Sequence, residues 1–112
     1  MSETMTPGKA VYNLGSLTRL PLGEGRTFRI GTDYVAVFRT REGKVFATQA
    51  TCPHKNGPLA DGIVGADQVI CPLHAYKFQL TDGKALGNSC EALKTYPATL
   101  SENGDILLSV DD

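Results

Sequence analysis

Residues 52–78 read CPHKNGPLADGIVGADQVICPLHAYKF and contain both histidines of the chain and two of its three cysteines. The first pair, Cys52 and His54, has the spacing C-x-H, and the second pair, Cys71 and His74, has the spacing C-x-x-H. Glycine and proline crowd around both pairs, which is typical of structured loops. Four soft or borderline ligands in two close pairs on such loops are the arrangement that a metal site needs.

The nature of the metal follows from how the four ligands are grouped. Two buried cysteines with two unrelated surface histidines are a poor alternative, because both histidines fall within three residues of a cysteine. A Cys2His2 zinc finger normally groups its cysteines together and places its histidines at helical spacing. Here each loop supplies one ligand of each type. This favours a 2Fe-2S centre with both cysteines on one iron and both histidines on the other, and leaves zinc as the lesser alternative.

The rest of the chain predicts a β fold around these loops. Twelve glycines and six prolines among 112 residues indicate many turns between short strands rather than long helices. Apolar and polar residues alternate over residues 9–14 and 27–30, whereas residues 34–38 are apolar on both faces, as in a central strand. Turn signals predict three hairpins, at residues 42–43, 82–83 and 103–104.

The middle of the chain differs from these regular segments. It shows no sustained period, and we predict an irregular insertion near residues 51–75 that holds the metal. Gly57 and Gly62 are predicted to let the first loop bend tightly. The whole is predicted to be one all-β domain of short antiparallel strands over residues 9–112, after a flexible segment over residues 1–8.

Composition argues against several classes of function. A formal net charge of -1 provides no sequence-wide basic field for nucleic acid or anionic lipid. No apolar run approaches the roughly 20 residues that span a bilayer, and residues 1–7 lack the features of a secretory signal, so the cytoplasm is the expected location. Three cysteines are an odd number, which is unusual for a secreted domain held by disulfides. No dinucleotide fingerprint, P-loop or Ser-His-Asp set is present, so we expect the chain to bind no nicotinamide itself. Because a 2Fe-2S cluster moves one electron, we also expect no catalytic substrate site.

Two stretches resemble a known family. Residues 52–64 (CPHKNGPLADGIV) and 71–78 (CPLHAYKF) resemble the Rieske ferredoxins, and more narrowly the small subunit of NAD(P)H-dependent assimilatory nitrite reductase. The narrower resemblance depends on Lys55, Pro58, Leu59 and the run over 62–64. It implies a Rieske-like antiparallel β-sandwich or partial barrel with a loop-rich, cluster-binding subdomain over about residues 51–78. One 2Fe-2S cluster would be held by the two cysteine-histidine pairs, Cys52, His54, Cys71 and His74.

The resemblance implies a redox role that depends on a partner. The chain would pass electrons within a nitrite reductase complex, whose large subunit carries flavin, an iron-sulfur cluster and sirohaem and reduces nitrite to ammonium in nitrate assimilation. One alternative is a free-standing Rieske ferredoxin, whose partner is a ring-hydroxylating or related oxygenase or a ferredoxin reductase. A second alternative, of another class, is a structural subunit whose site holds zinc or no metal.

Departures from the respiratory Rieske proteins bear on the reduction potential. Those proteins carry an extra cysteine in each loop, whereas Gly57 and Leu73 stand at these positions here. They also carry hydroxyl donors after the second histidine, at the positions of Tyr76 and Phe78. The resemblance therefore implies a potential near the lower end of the Rieske range, about -150 mV.

Residues beside the ligand pairs are candidates for contact with the partner. Lys55, Leu73 and Lys77 flank the ligands and are candidate docking residues, because the partner is expected to approach the tips of the two ligand loops. Cys90, the third cysteine, lies in a segment that is proline-rich in many relatives. We interpret it as a small buried apolar residue rather than a functional thiol.

Overall fold

The fold is built from short antiparallel strands. The computed structural model describes residues 9–53, 57–72, 76–87 and 91–111. These residues form eleven strands: β1 Lys9–Ser16, β2 Glu24–Ile30, β3 Asp33–Arg39, β4 Val45–Gln49, β5 Ile63–Val64, β6 Gln68–Ile70, β7 Lys77–Gln79, β8 Ala85–Leu86, β9 Thr95–Tyr96, β10 Ala98–Leu100 and β11 Asp105–Asp111. Within the same ranges the helical segments are two 3-10 turns, Leu17–Arg19 and Leu59–Asp61. Neither is long and apolar enough to cross a membrane.

Two sheets form a base sandwich. One has the order β1-β11-β10 and the other the order β2-β3-β4-β9, and every pairing in them is antiparallel. The side chains between the sheets form one apolar cluster, of Leu20, Ile30, Val35, Val37, Ala47, Ile106, Leu108 and Val110. The antiparallel all-β fold predicted from the sequence is thereby confirmed.

Strand β3 is buried on both faces. Its residues Val35, Ala36, Val37 and Phe38 all have 0% of their surface exposed. Successive side chains in a strand point to opposite faces, so Val35 and Val37 enter the base sandwich while Ala36 and Phe38 enter a second apolar cluster. The prediction that residues 34–38 form a central strand is confirmed, except that Tyr34 is 56% exposed and the buried part begins at Val35.

A third sheet covers the other face of β3. It has the order β5-β6-β7-β8, and its inward side chains join Ala36 and Phe38 in the second cluster. The prediction of an irregular insertion over residues 51–75 was therefore partly wrong, because β5 and β6 lie within it. Strands of two and three residues are too short to show a period in the sequence, which is why they were missed.

Turns and one ion pair connect these parts. The three predicted hairpins form, joining β3 to β4, β7 to β8 and β10 to β11. Lys44, in the first of these turns, reaches the β5–β6 turn, where its Nζ lies 3.2 Å from Oδ2 of Asp67. This hydrogen bond, with the charges of Asp67 and Glu42, raises the pKa of Lys44. The predicted flexible segment, residues 1–8, lies outside the described residues.

Candidate metal centre

The first cysteine begins a loop closed by the backbone. After β4 the chain reaches Thr51, which forms an antiparallel bridge with Pro58. Inside this bridge the N–H of Cys52 donates to the carbonyl of Gly57, with 2.8 Å between nitrogen and oxygen. The loop 52–57 is therefore closed at its two ends by this bridge and this hydrogen bond, and its first residue is the cysteine.

The second cysteine begins a loop of the same construction. Ile70, the last residue of β6, pairs with Lys77, the first residue of β7. Inside this pair the N–H of Cys71 donates to the carbonyl of Tyr76 at 2.7 Å. Each cysteine thus donates to the carbonyl five residues further on, and the loops 52–57 and 71–76 have equal length. The sequence hides this equivalence, because one histidine follows its cysteine by two positions and the other by three.

Both cysteine side chains point into the same apolar cluster. Cys52 and Cys71 are each 1% exposed, and both pack in the cluster between β3 and the third sheet. Its other buried members are Ala36, Phe38, Leu59, Val64, Val69, Phe78, Leu80 and Leu93. The topology therefore brings together two thiols that are separated by 18 intervening residues in the chain.

Packing against neighbouring segments holds the two loops in place. Leu59, fully buried, follows the first loop, and its N–H donates to the carbonyl of Ala50 at 3.0 Å. At Gly62, a Cβ would collide with the carbonyl oxygen of Ile70, directly before the second cysteine. The φ of Gly62 is -76°, which any residue adopts. The prediction that Gly62 lets the first loop bend tightly thus acquires a physical reason other than an unusual φ, because the absence of a Cβ allows close approach of two backbones.

Several predicted site residues lie outside the described residues. They are His54, Lys55, Leu73, His74 and Cys90. By position in the sequence, each histidine belongs to one of the two closed loops. Within residues 9–53, 57–72, 76–87 and 91–111, no group of three or more histidine, cysteine or acidic side chains is placed to hold a metal. The assignment of four ligands therefore stays a prediction.

Other predicted positions are described. Lys77 is exposed at the start of β7, directly after the second loop. Gly57 is buried, and Tyr76 is half-buried against the cluster that holds the cysteines. Phe78 is fully buried in the same cluster, so its ring fills the core beneath the second loop.

Comparison with known proteins places the chain in a family. The sequence model of the Rieske 2Fe-2S domain matches residues 10–97. The chain is 35% identical over 91 residues to the 3-phenylpropionate/cinnamic acid dioxygenase ferredoxin subunit of Escherichia coli K12, covering 80% of this chain and 85% of that one. The chain therefore belongs to the Rieske 2Fe-2S domain family.

Solved structures agree with this assignment. A structure described as an NADH-dependent nitrite reductase small subunit from Mycobacterium tuberculosis superimposes with a TM-score of 0.85 at 24% identity, covering 93% of this chain and 97% of that one. A second, described as a small subunit of an NADPH nitrite reductase, has a TM-score of 0.78 at 28% identity and covers 88% and 97% of the two chains. The superposition on the Mycobacterium tuberculosis structure shows that the two chains have the same fold.

Membership of this family means that the chain is an electron-transfer domain with one Rieske-type 2Fe-2S cluster. The described residues fit this group, because two buried thiols occupy equivalent positions in two loops of equal length. One thiolate from each of these positions would supply the two cysteine ligands that one iron of a Rieske cluster takes. When bound, the cluster supplies one-electron transfer, and the chain's own residues shield and orient it.

Proposed function

We propose that this chain is the small subunit of an NAD(P)H-dependent nitrite reductase. In this role it passes electrons within a complex whose large subunit carries flavin, an iron-sulfur cluster and sirohaem and converts nitrite to ammonium. Cys52 and Cys71 bind one iron of the cluster, and His54 and His74 bind the other.

The observation that carries the electron-transfer role is the matched pair of loops. Each cysteine starts a loop that is closed by an equivalent backbone hydrogen bond, from its own N–H to the carbonyl five residues further on. Both thiols enter one apolar cluster. A pair of buried thiols suits a redox group, and in this role the substrate chemistry takes place on the partner.

The nitrite reductase assignment is supported by the sequence around the first loop and by structural similarity. Pro58, Leu59 and the run over 62–64 match the small-subunit pattern, and the structure gives two of them a clear role. Leu59 is fully buried beneath the loop, and Gly62 allows the approach to the backbone of Ile70. The NADPH nitrite reductase small subunit, at 28% identity and 97% coverage of its length, supports the same assignment.

Purification from the native organism tests this proposal. A tagged chain, isolated from cells grown on nitrite, is expected to bring with it a large subunit with the absorbance of sirohaem and NAD(P)H-dependent nitrite reductase activity. Recovery of an oxygenase or of its reductase in place of that subunit would overturn the assignment.

The second candidate function is that of a ferredoxin for an oxygenase. The specific observation in its favour is the 35% identity to the ferredoxin subunit of the dioxygenase from Escherichia coli, a protein of which this chain covers 85%. In that case the same cluster would reduce an oxygenase after accepting an electron from a ferredoxin reductase.

The position of Lys77 gives a prediction about docking. Because this exposed lysine borders the second loop, Lys77→Glu is expected to slow electron transfer to the partner at low salt and less so at high salt. The matched control is Lys84→Glu, since Lys84 is also exposed but lies in the β7–β8 turn, at the opposite end of β7 from the second loop. Stopped-flow rates across ionic strengths provide the measurement. Equal rates for the two variants would contradict a docking role for Lys77.

A further inference from the structure

One row of side chains crosses the third sheet next to the second cysteine loop. In this sheet Ile63 pairs with Ile70, Ile70 pairs with Lys77, and Lys77 pairs with Leu86. Residues that lie directly opposite each other on antiparallel strands point to the same face. We call these four residues, Ile63, Ile70, Lys77 and Leu86, the outer row.

The outer row faces away from the protein core. The neighbouring row, with Val64, Val69 and Phe78, points inward and is buried. Ile63 is 68% exposed, the largest value among the exposed large apolar side chains of the described residues. Ile70 and Leu86 are partly exposed beside it. Three of the four side chains on this row are therefore aliphatic and in contact with solvent.

The aliphatic character of this face is confined to the end near the cysteine loop. One step further from the loop, Gln68 pairs with Gln79 on the same face. Backbone hydrogen bonds extend this step to Gly65 on one side and Lys84 on the other. The face is therefore polar away from the loop and apolar beside it. Contiguous exposed apolar groups rimmed by polar ones mark interaction sites, whereas single exposed aliphatic residues do not.

From this placement we infer that the outer row is part of the docking surface for the redox partner. The inference depends on the proposed function, in which the chain passes electrons to a partner subunit. The outer row adjoins the second cysteine loop, because Ile70 and Lys77 are the residues that directly flank the loop 71–76. A surface around this loop therefore extends onto the outer face of the third sheet. In this arrangement the partner contacts the outer face of the third sheet as well as the second cysteine loop.

The charge on the row defines the chemistry of the partner surface. Lys77 is the only charged residue among the four, and its neighbours on both adjacent strands are aliphatic. A complementary surface carries apolar side chains and a carboxylate opposite Lys77, since exclusion of water strengthens that ion pair. A second copy of this chain, packed on the row by two-fold symmetry, would place the two Lys77 ammonium groups together. This like-charge contact disfavours a homodimer.

A substitution at Ile63 tests the inference with the cluster-loaded chain. Ile63→Thr keeps a β-branched side chain in the strand, so the fold and the visible spectrum are expected to be unchanged. The dissociation constant for the large subunit is expected to rise about fivefold, because apolar surface is lost from the interface. Val11→Thr is the matched control, since Val11 is 63% exposed on β1, in a sheet that holds neither cysteine. It is expected to bind the partner as the wild type does.

Each outcome of this experiment decides a different point. An unchanged dissociation constant for Ile63→Thr, with a wild type that binds the large subunit, overturns the docking role of the row and leaves the proposed function standing. A wild type that does not bind the large subunit overturns the proposed function and this assignment of the row together. A concentration-dependent dimer that Ile63→Thr abolishes would assign the row to a second copy and overturn the inference.

Discussion

Loss of the cluster is the expected result when Cys71 is replaced by Ser, and the same is expected for Cys52→Ser, His54→Ala and His74→Ala. The wild-type chain, purified from cells with sufficient iron, is expected to contain two irons and two acid-labile sulfides. Both thiols lie buried in one apolar cluster, so a variant that lacks either would leave an iron with one sulfur ligand fewer, at a position that water does not reach easily. Iron and sulfide analysis with visible absorbance measures the effect.

The third cysteine is the control for this experiment. Cys90→Ser is expected to retain the iron content and spectrum of the wild type, because Cys90 belongs to neither of the two closed loops. If Cys90→Ser lost the cluster, or if the wild type contained stoichiometric zinc and no visible chromophore, the ligand assignment would be wrong.

A single methyl group at Gly83 is expected to destabilise the fold strongly. Gly83 has a φ of +80° at the β7–β8 turn, and its carbonyl accepts a hydrogen bond from the N–H of Leu93 at 2.7 Å. A Cβ at this position would collide with the backbone carbonyl oxygen of Leu93. Leu93 is buried in the cluster that contains both cysteines, so the collision is transmitted to the metal centre. We expect Gly83→Ala to reduce the free energy of unfolding by about 2–4 kcal/mol, measured by urea denaturation followed by far-UV circular dichroism.

A control at Gly104 separates the cost of the left-handed backbone from the cost of the collision with Leu93. Its φ of +82° matches that of Gly83, but a Cβ there would meet no atom within 4 Å. Gly104→Ala therefore carries only the cost of the left-handed backbone, about 1–2 kcal/mol, and is expected to leave the cluster spectrum unchanged. Equal losses in the two variants would show that the backbone at Leu93 moves aside without cost.

The sequence predicted the parts of the fold that depend on local chemistry. A continuous apolar run was sufficient for β3 and turn residues for the three hairpins, and the cysteines of the two predicted cysteine-histidine pairs lie in one buried cluster. Strands β5 and β6 were missed because they are too short to show a period and form through pairing with each other and, for β6, with β7. For the same reason the sequence could not indicate that Ile63 faces solvent while Val64 is buried.

The site itself was predicted as a set of residues but not as an arrangement. The C-x-H and C-x-x-H spacings suggest two different loops, whereas the backbone closes both in the same way, at Gly57 and at Tyr76. This closure is formed by main-chain groups, which every residue type carries, so side-chain identity could not reveal it. The role of Gly62 was likewise hidden, because it depends on a segment eight positions further along the chain.

Strand β3 contributes side chains to both apolar clusters and so couples the two parts of the fold. Its alternate side chains belong to two different apolar clusters, so neither cluster can open without exposing one face of the same four residues. We therefore expect the third sheet, with the second cysteine loop, to melt together with the base sandwich, although its strands are inserted in the sequence between strands of the sandwich. Stabilising substitutions in the base sandwich, far from the loops, are then expected to protect the metal centre as well as the fold.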